Sequence, residues 1–246
     1  MASSKEMIDE FGRKLNKFTK PIILQTSDIL FWINEAQLQF VIDRFNGMNS
    51  KRRSFEQSQE LIDDLKSLVR NNSAIETYRA LTSDASGSIG IDGFYGDSAT
   101  LPNEHLYTIS VRANTRHKNG KDITPYITYT GSPQKRELNI SNVSLSIVVC
   151  KNSQHDDIYR LLLDPFNKAS ISNPLYVTSE NKITVFTDKT FIVTKINLDY
   201  IKKPRNVVYS LTEEENVNSE LPIHTHDDVV DLAVKLFRQS LPAQSE

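Results

Sequence analysis

The stretch ITVFTDKTFIVTKINL, residues 183–198, decides the fold class. Ile183 and Val185 alternate with polar residues, Asp188-Lys189 supplies a turn, and Ile192, Ile196 and Leu198 carry the apolar pattern on. A period of two places apolar side chains on one face of an extended chain, so the stretch reads as a β-hairpin with a buried face. A sheet is therefore expected in the second half of the chain.

More strands lie on either side. Tyr107, Ile109 and Val111 alternate with polar residues, as do Ile127 and Tyr129. The clearest run is Val143, Leu145, Ile147 and Val149, with Ser144 and Ser146 opposite. Leu138 and Ile140 sit on the other parity, so a β-bulge near Ser141-Asn142 would restore one apolar face. Residues 200–209 read as a last strand, with Pro204 placing it at an edge or a bend. A short helix over residues 156–163 is expected to end at Asp164-Pro165, because the residue before proline disfavours the helical region.

Helices flank this region. Ser27 can cap the first one, with Asp28 favourable at its positive end. Ile29, Ile33, Ala36 and Phe40 follow at helical spacing, and Trp32, Leu38, Val41 and Phe45 widen the stripe. Asn46-Gly47 supplies the stop. Ser54 and Gln57 form a capping box for a second helix carrying Leu61, Leu65 and Leu68, and the short join implies an antiparallel hairpin. A final helix begins near His226, with Thr225 as its cap and Asp227 and Asp228 in the first turn. Its buried stripe is Val230, Ala233, Val234, Phe237 and Leu241, and Lys235 and Arg238 sit toward its negative end. Between residues 71 and 104 the periodicity fails. Gly87, Gly90, Gly93 and Gly96 there give GxxGxxGxxG, which is not a dinucleotide fingerprint, and this part reads as a long loop or arm. The expected architecture is α+β: an N-terminal helical hairpin, a small mostly antiparallel sheet and a C-terminal helix, in one domain over residues 1–246.

Composition narrows the functional classes. Hydrophobic residues are 38% and charged residues 24% of the 246, a globular balance that is neither disordered nor membrane-bound. The net charge of -2 argues against a dedicated DNA-binding module. The opening MASSKEMIDEFGRKLNK is charged throughout and has no apolar core, so no secretory signal is expected. Cys150, the only cysteine, lies in SIVVC and reads as a small buried hydrophobe.

The most tempting chemistry is His224-Thr225-His226 followed by Asp227-Asp228. An H-x-H pair near carboxylates can hold a metal ion, and on a strand both imidazoles would face the same way. His105, His117 and His155 lie in separate regions, so no third ligand is evident. The plainer reading is a turn and a helix start, with the Asp pair serving the helix dipole. On that reading both imidazoles could be removed without loss of the fold. Asp63-Asp64 and Asp156-Asp157 are adjacent, do not face one point on a helix, and read as solvated faces. Lys51-Arg52-Arg53 and Lys202-Lys203-Pro204-Arg205 lack interleaved stacking residues and read as surface or subunit salt bridges. No G-x-S-x-G, H-E-x-x-H or P-loop pattern occurs. No catalytic, cofactor-binding or metal-binding residue is assigned.

Four stretches carry a family resemblance. LPIHTHDDVVDLAV, residues 221–234, resembles a C-terminal motif of structural proteins in crAss-like phages. DYIKKP, residues 199–204, precedes it as in that family. LLLDPFNKA, residues 161–169, resembles the family's middle segment, and FEQSQELIDDLKSLV, residues 55–69, its second N-terminal helix. The glycine-rich stretch matches no part of it. The resemblance implies a non-enzymatic ring subunit of the head-to-tail connector, akin to the tail tubular adaptors of short-tailed phages. It implies a closed homo-oligomer, twelve-fold like the portal above it, that bridges portal and tail and lines the DNA exit channel. The implied partners are other copies, the portal protein and other connector or tail proteins. DNA would pass without sequence-specific binding, no membrane would be involved, and no cofactor is implied. The implied location is the neck or tail of the virion, after synthesis in the host cytoplasm. Two alternatives are kept: a tail-completion or stopper protein further from the portal, and a metal-dependent hydrolase using His224 and His226.

Overall fold

The computed structural model describes residues 4–17, 24–46, 63–79, 94–117, 145–188, 190–210 and 215–241. The chain forms two compact units, Met1–Val69 with Lys202–Glu246, and Arg70–Ile201. The second is an excursion from the first.

The first unit is helical. Helix α1 spans Ser4–Asn16, where the sequence suggested only a charged terminus. Met7, Phe11 and Leu15 recur every four residues and are buried, a stripe too narrow to stand out among six charges yet sufficient once a partner covers it. Helix α2 spans Thr26–Asn46 and buries Ile33, Ala36, Phe40 and Val41, together with one polar residue, Gln37. The capping box at Ser54 and Gln57, and Leu61, fall outside the described residues. Leu65 and Leu68, from the end of that stretch, are fully buried. A later helix, spanning His226–Ser240, packs against both α1 and α2 and buries Val229, Val230, Ala233, Val234 and Phe237, whereas Leu241, expected in that stripe, lies past the helix end and is exposed. The Phe237 ring is the joint. It meets Phe11 edge-on at 6.3 Å and Trp32 at 6.0 Å.

The second unit is a two-sheet sandwich. Its strands are β1 (Val69–Glu76), β2 (Tyr78–Arg79), β3 (Phe94–Thr100), β4 (His105–His117), β5 (Leu145–Val149), β6 (Lys151–Asn152), β7 (Leu175–Ser179), β8 (Lys182–Asp188) and β9 (Phe191–Lys202). One sheet has the order β1-β9-β4-β5, the other β2-β3-β8-β7-β6. β2 with β3, β3 with β8, β7 with β8 and β4 with β5 pair antiparallel, and β6 pairs with β7 in parallel. Helix α3, Ile158–Leu163, lies on the second sheet, so the C-terminal helix His226–Ser240 is α4.

The expected hairpin at 183–198 does not form. β8 and β9 belong to different sheets. Ile183 and Val185 of the one, and Phe191 and Val193 of the other, share a single hydrophobic core. Both strands are apolar on one face, and facing each other across a core buries both faces. At the corner, Asp188 Oδ1 accepts from the Thr190 N–H at 2.7 Å and from its hydroxyl at 2.5 Å. The inward parity changes between Val193 and Ile196, as one extra residue in a strand produces. Ile192 is thus only half-buried.

Three further expectations are corrected. Residues 71–104 are not one loop: β1, β2 and β3 occupy 69–79 and 94–100, and Gly96 is buried within β3. β3 reads FYGDSAT, small or polar after its two aromatics and without apolar alternation, and its sheet position comes from pairing with β8 over seven registered residues. Gly87, Gly90 and Gly93 lie outside the described residues, as do Ile127, Tyr129, Leu138, Ile140 and the bulge at Ser141-Asn142. Ile147 and Val149 point outward and are each 64% exposed. They lie opposite Asn114 and Arg112, on the polar face of β4, whose inner face carries Val111 and Ala113. A register fixed by the partner overrides a strand's own pattern. Lastly, residues 200–209 are not a separate strand. β9 continues to Lys202, and Val208 forms only an isolated bridge with Val217.

Phe237→Ala should destabilise the helical unit by about 3–5 kcal/mol, because it empties the joint of three helices. Denaturant unfolding followed by the fluorescence of Trp32, the sole tryptophan, reads this directly. A loss under about 1 kcal/mol would place the joint elsewhere.

Candidate functional site

The segment from Leu221 to Asp231 draws the helical unit together. Upstream of it, Ser219 Oγ donates to Gln37 Oε1 at 2.7 Å, and the Leu221 N–H donates to Ser219 Oγ. Gln37 in turn donates to Asn34 Oδ1 at 3.1 Å. That oxygen also accepts the Val207 N–H at 2.7 Å, while Asn34 Nδ2 donates to Val207 O. Two amides on α2 thereby register the incoming chain.

Ile223–Thr225 form one turn of 3-10 helix, and α4 follows at once. The two imidazoles diverge on this turn. His224, half-exposed, has Nε2 3.0 Å from Asp64 Oδ1. His226 is buried and donates from Nε2 to Leu221 O at 2.9 Å, while its buried Nδ1 has no hydrogen-bond partner. Thr225 does not cap with its side chain. Its hydroxyl donates back to Pro222 O at 2.8 Å.

Charges complete the clasp. Arg44, near the end of α2, has Nε 3.0 Å from Asp64 Oδ2, an ion pair without the alignment of a hydrogen bond, and Nη2 3.2 Å from Asp228 Oδ2. Asp64 is buried, so Asp63-Asp64 is not a wholly solvated pair. Lys14 of α1 pairs with Asp227 and, at 2.8 Å, with Asp231. The Lys14 hydrogen bond holds the Asp227 carboxyl below its usual range. Burial would lower the Lys14 pKa, but hydrogen bonds and charge from both carboxylates outweigh it and raise it. Asp227 and Asp228 thus bind two different helices as well as favouring the start of α4.

Of the basic clusters, Lys51-Arg52-Arg53 falls outside the described residues. Lys202 is not on the surface: it is 1% exposed, with Nζ 2.5 Å from Glu220 Oε1, while the Arg205 N–H donates to Glu220 Oε2 at 3.1 Å. Burial pushes the Glu220 carboxyl up, but the Lys202 hydrogen bond, the Arg205 amide and both cations bring it below its ordinary 4.5. Cys150 is buried, and its thiol is pushed up to about 12 by that burial, against a hydrogen bond with the Ala113 backbone. A thiol so protonated is a poor nucleophile. His105 bonds Thr108 Oγ1 at 2.9 Å, and burial lowers its pKa. His155 bonds Thr178 O at 2.9 Å. Among the described residues no three His, Cys, Asp or Glu side chains are grouped to hold a metal ion.

Sequence reading missed Lys14, Arg44, Asp64 and Glu220 as partners. The available signal was Gln37, a polar residue on the apolar stripe of α2. A segment whose polar groups are tied to several parts of its own unit belongs to a scaffold. The family described as "Phage tail ring protein 3/4", of crAss-like phages, matches residues 2–246, and the chain belongs to that family. It is a family of structural ring proteins of the phage tail, not of enzymes. No curated protein matches the sequence. No helix among the described residues is long and apolar enough to cross a membrane.

Two outcomes follow from the clasp. His226→Ala should cost about 1–3 kcal/mol, since a buried carbonyl loses its donor, whereas His224→Ala should cost under about 1 kcal/mol at its half-exposed pair. This revises the expectation that both could be removed freely; equal, negligible losses in thermal unfolding would restore it. The second concerns pH. Glu220 is depressed in the folded state, so its contribution is full above 4.5 and is lost as pH falls through the folded value. Glu220→Gln should therefore be less stable than wild type near neutrality, and the gap should close on acidification.

Proposed function

We propose that this chain is a ring subunit of the head-to-tail connector, seated between portal and tail and lining the channel through which DNA leaves. The observation that carries the reading is the family match over residues 2–246, which takes in both compact units, so both work as parts of one subunit. The ring is twelve-fold, matching the portal, and DNA passes it without sequence-specific contact. No residue is assigned to catalysis, to a cofactor or to a metal. The subunit is made in the host cytoplasm and resides in the neck or tail of the virion. A tail-completion or stopper ring further from the portal is the second reading, favoured by the word "tail" in the family's description. An image of the particle distinguishes the two, and absence of the protein from neck and tail would overturn both.

The chain also supplies a reason for templated assembly. With a net charge of -2, long-range repulsion between copies is small. Most apolar residues of its helices and strands fill its own cores, which leaves modest surfaces for neighbours. Weak contacts gain strength when a template holds many at once. The isolated protein should therefore be a monomer or small oligomer by light scattering, with rings appearing when portal is added. A stable ring without portal would refute templating but leave the connector reading standing.

A further inference from the structure

On α3 and the turn after it, Tyr159, Leu163 and Phe166 recur at i, i+4 and i+7 and are 54%, 70% and 94% exposed. Single exposed apolar residues are ordinary, but Tyr159 and Leu163 share one face of α3 and Phe166 follows on the turn that closes it, so three lie exposed within one short segment. The opposite side of α3 is already committed: Ile158 and Leu162 are buried against Leu175, Val177 and Phe186. Phe166 stands on a built turn. Its N–H donates to Asp164 Oδ1 at 2.9 Å, Asn167 Nδ2 donates to Asp164 Oδ2 at 2.6 Å, and the Lys168 N–H donates to Asp164 O at 3.0 Å. The ring is flanked two residues away on each side by opposite charges, Asp164 and Lys168.

The helical unit carries a groove of about 280 Å³ between α2 and residues 203–206. Its lining is mixed: Phe31, Leu38 and Pro204 are apolar, Asn34, Gln37 and Asn206 are polar, and Glu35 and Lys203 carry opposite charges. Phe31 is itself exposed.

We infer that Tyr159, Leu163 and Phe166 of one copy dock in the groove beside α2 of the next copy, with Lys168 facing Glu35 and Asp164 facing Lys203. The inference rests on the ring reading above and names the surfaces that close the ring. A closed ring is built from heterologous contacts, which need two different and complementary surfaces on the same chain. The knob and the groove meet that need: each presents apolar side chains, each has a cation and an anion beside them, and they lie on different units. That charge match within one chain points to a second copy as the occupant.

Cross-linking in assembled particles tests this. The variant Phe166→Cys with Leu38→Cys, carried in the virion and oxidised, should give a ladder of covalent multiples on a non-reducing gel, and neither single variant should. Particles that contain the protein but give no ladder, or only a bridged monomer, overturn the docking while sparing the ring reading. Particles whose tails lack even the wild-type chain overturn that reading instead. Charge reversal gives an independent measure that does not depend on the cysteines. Lys168→Glu alone and Glu35→Lys alone should each lower incorporation by on the order of tenfold, and the two together should restore it, because like charges across an interface suppress association. Single variants that incorporate normally, or a pair that fails to restore, overturn the assignment.

Discussion

The architecture depends on one closure. The chain leaves the helical unit after Val69 and returns to it at Lys202. There the Lys202 N–H donates to Leu68 O at 3.0 Å, and the Lys202 ammonium is buried on Glu220. The cost of closing a long excursion grows slowly with its length, by only about 0.6 kcal/mol per doubling, so a large insertion is tolerable provided its ends are held. The hold is charged and dry on the lysine side, and removing Glu220 would leave the buried Lys202 ammonium without its counter-charge. Glu220 lies directly before Leu221, so the pair that fixes the ends of the insertion also fixes where the HTHDD segment begins.

From that point the polar contacts act as register marks. Asn34 and Gln37 read the returning backbone, His226 ties its ring to Leu221 O, and Lys14 and Arg44 each take a carboxylate of α4. Such groups add little net stability, because each gives up water to form its contact. Their value is selective: a helix slipped by one residue would strand several of them. The bulk of the stabilisation comes from apolar burial around Phe237, Phe11, Leu15 and Ile33.

The sandwich unit follows a different logic. One core lies between its sheets, and a second lies between α3 and the sheet that contains β7 and β8. Asp97, buried in β3, accepts the Val193 N–H of β9 at 2.9 Å and so joins the two sheets with a side-chain hydrogen bond. Each layer has one committed face. Among the described residues of this unit, the large apolar side chains left outward are Ile147 and Val149 on an edge strand, Tyr159 and Leu163 on α3, and Phe166 on the turn after it. In a ring subunit, outward apolar residues are where neighbours have something to bury.

The sequence by itself determined the α+β class, the helix α2, the short helix closed by Asp164-Pro165, the strand through Val111 and, Leu241 excepted, the buried stripe of α4. Each is written locally, in a period, a cap or a stop. It also marked HTHDD as special, without saying for what. Only the tertiary structure decided the rest. α1 exists because α4 covers three apolar residues too sparse to read alone. β3 is a strand because β8 pairs with it, and Ile147 and Val149 face outward because β4 sets their parity. β8 and β9 face each other because a sandwich buries two apolar faces that a flat hairpin would leave on one side. The clasp partners, Lys14, Arg44 and Asp64, lie at least 160 positions from the segment that they bind. No spacing rule reaches that far, because periodicity reports which face a residue occupies and is silent on what will cover it.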